Sequence, residues 1–232
     1  SQYVGMGGDL AMSVDVARSA WDDAANARFD GATVGDVVFP VPVFSDDERA
    51  AQTKRLTATE WAQASIGVAS LALLRVLRSL GVKAHHVGGH SFGEVTALCA
   101  AGVIDEASFV AVARRRGELM RDASATPGAM TAVGRPIDEV RAALAEFGDS
   151  VVVANHNHPK QVVLSGATEA IERVEALLSS KGMPAKRLPV STAFHSALVA
   201  PSGAKFGEFL AGVEFGSPGA VVWSNAEAAP LA

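Results

Sequence analysis

The chain has 232 residues, 49% hydrophobic and 19% charged, with a net charge of −5 at pH 7 and one cysteine. This supplies enough apolar surface for a large core and excludes a disordered chain. The acidic balance offers no general affinity for nucleic acid or anionic lipid, and the lone Cys99 excludes an internal disulfide, as suits a cytoplasmic protein.

In chain order, residues 9–28 read as a helix, followed by a looser stretch around Pro40 and Pro42. Thr59, Glu60 and Trp61 open a helix whose apolar run 66–82 is interrupted by Arg75 and Arg78, so it is no membrane span. Ile66, Leu73, Leu74, Leu77 and Leu80 are expected to form one wide buried face, with Val68, Leu71 and Val76 extending it around the side. No basic-then-apolar leader is read at the start. Residues 84–89 read as a short strand stopped by glycines, 92–102 as a helix ending at Gly102, and 105–123 as a further helix. From residue 128 the pattern becomes strand, helix, strand, strand, helix, strand up to about residue 190, the ferredoxin-like βαββαβ order. A helical stretch and the strand "AVVWSN" follow.

The stretch Gly89-His90-Ser91-Phe92-Gly93 matches G-x-S-x-G between a strand and a helix, the setting of a nucleophile elbow. Ser91 is the candidate nucleophile and the backbone N–H of Phe92 a candidate oxyanion donor. A serine needs a base. His85 and His86 read as surface residues, and His90 as a structural neighbour of the serine. His156 and His158 alternate on a hairpin but supply only two ligands for a metal. His195 is the best base candidate. Arg114 and Arg115 read as solvent-facing or helix-end residues, and Cys99 as a small buried one.

Six motifs together resemble one family: "GHSFGE", "RRRGELM", "PGAMTAV", "VVVANHNHPKQVVLSG", "TAFHS" and the opening "SQYVGMG". The family comprises the malonyl-CoA:acyl carrier protein transacylases and the acyltransferase domains of type I polyketide and fatty acid synthases. The spelling of the first and fourth motifs looks most like iterative bacterial polyketide synthases, including the enediyne-forming kind. The resemblance implies Ser91 as acyl nucleophile, His195 as general base and acid, and Arg116 as the group that binds the malonyl carboxylate. Asn155 and Asn157 match asparagines near the family's pocket, and a turn-capping role stands beside that reading. Phe194 matches the position that narrows the pocket toward malonyl, although Thr192 stands where many malonyl members carry histidine. His90 and Met120 are counted with the substrate-binding residues, and Phe92 is bulkier than the family's usual residue.

The resemblance implies an α/β fold. A large α/β-hydrolase-like subdomain, with a parallel sheet and the elbow, would comprise 1–126 and 191–232, and the ferredoxin-like subdomain 127–190 would be inserted into it. It implies a bacterial cytoplasmic enzyme that loads malonyl from malonyl-CoA onto the phosphopantetheine of an acyl carrier protein, beside a ketosynthase and other synthase domains. No tightly bound cofactor and no metal, nucleic acid or membrane partner is expected. A serine hydrolase and a non-catalytic scaffold are the alternatives. Ser1 aligns with the serine of the family's opening GQGSQ, and relatives run several dozen residues past Ser224 and Asn225. The oxyanion glutamine and the carbonyl that orients the histidine are therefore expected outside this sequence, and Asn225 is not assigned their role.

Overall fold

The computed structural model describes residues 2–123, 127–188, 193 and 200–231. It divides into two compact units: Ser1–Glu118 with Glu208–Ala232, and Leu119–Gly207.

The first unit opens with α1 (Gly8–Ser13) and α2 (Asp15–Ala24). The sequence reads these as one helix, but Val14 between them is extended, at φ −134°. α3 (Val34–Val38) and α4 (Asp46–Thr57) occupy the stretch read as loose. Each starts in a capping box, Thr33 with Asp36 and Ser45 with Glu48, which satisfies amides that a helix end otherwise leaves unpaired.

α5 (Thr59–Ser79) corrects the expected buried face. Leu73, Leu77 and Leu80 are exposed, whereas Val68 and Leu71, expected at the side of that face, are buried together with Trp61, Ala64 and Ala72. α2 packs along α5 and buries Ala17, Ala20, Trp21 and Ala24. Small side chains on both helices allow this approach, so backbone proximity rather than side-chain size selects the face. The short strand β1 (His86–Val87), α6 (Gly93–Ala100) and α7 (Glu106–Ala123) follow. Asp105 begins α7, its carboxylate accepting the Ser108 N–H at 2.7 Å.

The second unit contains β2 (Gly128–Val133), α8 (Ile137–Leu144), a 3₁₀ turn, β3 (Val151–His158), β4 (Gln161–Ala167), α9 (Thr168–Ser180) and β5 (Ala185–Arg187). Its sheet has the order β3-β4-β2-β5 and is antiparallel throughout, as the βαββαβ reading requires. Ala129, Val133, Val162 and Leu164 face the helices, where Val140, Leu144, Ile171, Val174 and Leu178 complete the core. α10 (Ala200–Leu210) then leads back into the first unit.

There β6 (Val221–Val222) pairs in parallel with β1, His86 opposite Val221 and Val87 opposite Val222. The Trp223 N–H extends the ladder to the Val87 carbonyl at 2.9 Å. Parallel neighbours end at the same edge of a sheet, where α/β proteins place their sites. Among the described residues, no helix is long and apolar enough to cross a membrane.

Candidate active site

β1 ends at Val87 and α6 begins at Gly93, so the chain reverses through five residues centred on His90. The turn closes with Gly93 N–H donating to the His90 carbonyl at 2.9 Å and Glu94 N–H to the Ser91 carbonyl at 3.1 Å. A Cβ on Gly89 would lie 2.0 Å from the Gly93 carbonyl oxygen, so no other residue fits there. Ser91 sits at φ +54°, a left-handed conformation that costs a non-glycine residue about 1–3 kcal/mol. This is the geometry of a nucleophile elbow, with a half-buried serine at its apex.

Phe92 caps α6, so its amide belongs to the helix end that favours developing negative charge. Its ring is buried and stacks on Phe109 at 6.0 Å between centroids. The size that sets it apart in the sequence therefore fills the core of the first unit.

The second candidate group comes from α7. Gly117 is buried, and a Cβ there would lie 2.5 Å from both Glu60 Cα and the Thr59 carbonyl oxygen. The glycine lets α7 touch the first turn of α5, which places the preceding Arg116 beside Gln63. The Arg116 guanidinium donates to Gln63 Oε1 at 2.7 Å. Gln63 is buried and its Nε2 donates to Thr59 Oγ1 at 2.9 Å. Burial pushes the Arg116 pKa down, and the Glu94 carboxylate, three residues after Ser91, acts against that shift. An arginine remains cationic under such a shift. The elbow and this cation thus lie within electrostatic reach of each other.

A family model described as the acyl transferase domain matches residues 1–228. The chain belongs to the acyl transferase domain family. Polyketide synthase GfsA from Streptomyces halstedii is 34% identical over 236 residues, covering 97% of this chain and 3% of that protein. The malonyl CoA-acyl carrier protein transacylase of Bacillus subtilis is 32% identical over 236 residues, covering 98% and 70%. A solved type II polyketide synthase acyl carrier protein in complex with its malonyl-transacylase matches at a TM-score of 0.88 and 32% identity, covering 99% of this chain and 72% of that one. The chain therefore spans a small part of the synthases and about seven-tenths of the free-standing transacylase.

The structure of this acyl transferase domain brings Ser91, Phe92 and Arg116 into one unit. Asn155 and Asn157 lie on β3 of the other, Asn155 half-buried and paired with Val163, Asn157 exposed. Neither is in the turn after β3, which Pro159 and Lys160 form. Met120 is half-buried on α7, one turn beyond Arg116. His90 is exposed in the turn, immediately before Ser91. His195 and Phe194 lie outside the described residues.

Arg114 corrects its expected solvent-facing role. It is 2% exposed, ion-paired to Asp30 at 2.6 Å and Glu118 at 2.7 Å, and its guanidinium lies 4.4 Å from the Trp61 ring centroid and 5.1 Å from that of Phe29. Two carboxylates and two ring faces offset the cost of burying the charge. Of three consecutive arginines, Arg114 is thus saturated by structural partners, whereas Arg116 bonds to the neutral Gln63.

Sequence reading did not name Gln63, and it named Asn225 only to leave it without a role. Asn225 follows β6 and bonds to the elbow through three of its atoms. The sequence signal was a polar residue just past the end of a strand parallel to the elbow strand.

Proposed function

We propose that this acyl transferase domain transfers a malonyl group from CoA to Ser91 and then to the phosphopantetheine thiol of an acyl carrier protein. The observation that carries the reading is Arg116, a half-buried guanidinium held by Gln63 within charge reach of the elbow. A planar guanidinium binds a carboxylate through two parallel N–H···O bonds, and malonyl differs from acetyl by that carboxylate.

In the first half-reaction Ser91 Oγ attacks the thioester carbonyl and its proton passes to His195, the base implied by the family motif. The Phe92 N–H stabilises the oxyanion. The C–S bond then breaks, and the CoA sulfur leaves with the proton from His195. In the second half the carrier thiol gives its proton to His195, its sulfur attacks the Ser91 ester, and the serine departs with that proton. Each half exchanges one acyl bond for another, so neither needs a redox partner, a metal or a nucleotide. Malonyl-CoA is the substrate, and the phosphopantetheine belongs to the carrier. The family motif implies Phe194 as the residue that disfavours the methyl of methylmalonyl, a discrimination worth about 1–3 kcal/mol. The carrier is supported by the relative solved with its acyl carrier protein. Neighbouring ketosynthase and other domains are supported by the likeness to polyketide synthases.

The test is intact-protein mass spectrometry after brief mixing with malonyl-, methylmalonyl- and acetyl-CoA in competition. A malonyl adduct on Ser91, absent in Ser91→Ala, is expected. Free malonate without an adduct would make the protein a hydrolase, and an adduct surviving in Ser91→Ala would move the nucleophile elsewhere.

A further inference from the structure

The elbow holds Ser91 in a left-handed conformation that a serine does not favour, and such strain persists only where neighbouring structure over-determines it. Among the described hydrogen bonds, those within the turn run from Gly93 N–H to the His90 carbonyl and from Glu94 N–H to the Ser91 carbonyl. Asn225 spans the entrance of the turn, residues 89–91. Its Oδ1 accepts the Ser91 N–H at 3.1 Å and its Nδ2 donates to the Gly89 carbonyl at 2.7 Å. Its own backbone N–H donates to Glu94 Oε1 at 2.6 Å, so the first turn of α6 anchors the residue that grips the serine. Parallel pairing of β1 with β6 brings these positions together, because both strands end at one edge.

Asn225 is exposed, and water could satisfy its amide in many orientations. Instead the donor and the acceptor of one side chain engage two backbone groups two residues apart. Only a planar amide offers both at that spacing on a short stem.

We infer that Asn225 is a positioning residue for the acyl-transfer nucleophile. It sets the Ser91 backbone, and through it the direction of Oγ and of the adjacent Phe92 N–H. This rests on the reading that Ser91 is the acylated residue. Misplacement of a reacting group by about 1 Å can cost about a hundredfold in rate.

The experiment measures the rate constant of Ser91 acylation at saturating malonyl-CoA, the KM for malonyl-CoA, and the rate of Ser91 reaction with a fluorophosphonate probe. Rates are expressed per reactive serine, and folding is checked by thermal melting. Asn225→Asp keeps the acceptor and the shape but loses the donor to Gly89; Asn225→Leu loses both. The expected result is a fall in both rate constants of at least tenfold for Asn225→Asp and more for Asn225→Leu, with KM changed less than twofold. Folded variants with both rates within twofold of the unsubstituted protein would overturn the inference, as would a loss confined to KM. Amide exchange of Ser91 in the unsubstituted protein is a second measurement. Slow exchange is expected from the bond to Asn225, and exchange at the rate of an open turn would overturn the inference even if neither variant folds. Failure of the acyl-transfer reading looks different: the unsubstituted protein reacts with the probe but forms no malonyl adduct.

Discussion

In the proposed reaction substrate choice turns on Arg116, and the surroundings of Arg114 and Arg116 differ in a way that suits one guanidinium and not the other to that role. Arg114 is saturated by Asp30, Glu118 and two aromatic rings. Arg116 meets the neutral carbonyl of Gln63, which orients the fork without neutralising it. Bonds to a charged group contribute about 1.5–3 kcal/mol each, so two bonds to a malonyl carboxylate amount to roughly a hundredfold or more in rate. Arg116→Ala should therefore depress malonyl transfer about a hundredfold while leaving acetyl transfer within a few-fold, measured as kcat/KM for the two CoA esters. Equal losses for both would show that Arg116 does not read the carboxylate. The arginine triplet is visible in the sequence, but the division of labour within it is not, because Asp30 and Gln63 lie far away in the chain.

At the scale of elements, α7 delivers Arg116 only because Gly117 lets it rest on the backbone at the start of α5. A methyl at Gly117 would meet Glu60 Cα and the Thr59 oxygen at 2.5 Å, and backbone atoms cannot swing aside. Gly117→Ala should destabilise the protein by about 1–3 kcal/mol, as overpacking does. It should also erode the preference for malonyl over acetyl, as α7 withdraws Arg116 from Gln63. Denaturant unfolding and competition between the two CoA esters check both effects, and an unchanged midpoint would show that the two helices separate freely. The same elements mark what the sequence could reveal. The βαββαβ unit was legible because short apolar runs bounded by glycine and proline alternate with the one-sided apolar faces of α8 and α9. The capping boxes of α3 and α4 were equally present in the sequence, at Thr33/Asp36 and Ser45/Glu48, yet the nearby prolines masked them. The buried side of α5 was legible only in part, at Val68 and Leu71, because a helix apolar around most of its circumference carries a weak one-sided period. Asn225 was illegible for another reason: its partners are 131 to 136 residues away, and only the pairing of β1 with β6 brings them together.

For the molecule as a whole, the two units carry separate cores, and the one that holds the elbow also holds the single thiol. Cys99 lies on α6, the helix that follows the nucleophile, and is 3% exposed. Burial, aided by the Glu106 carboxylate, pushes its pKa from an ordinary 9.0 up to about 12. In the unfolded chain the thiol loses its proton near its ordinary value, whereas the folded protein retains it. Between about pH 9 and 12 the folded state therefore binds more protons than the unfolded state, and stability must fall as pH rises through that window. One proton bounds the slope at about 1.4 kcal/mol per pH unit. Urea unfolding at pH 8 and pH 10.5 should show a larger loss for the unsubstituted protein than for Cys99→Ala. The variant starts from lower stability because it leaves a small cavity, so the slope and not the midpoint is the readout. Parallel slopes would mean that the thiol ionises in the folded state as easily as in the unfolded one, and that water reaches the inner face of α6 directly behind the elbow.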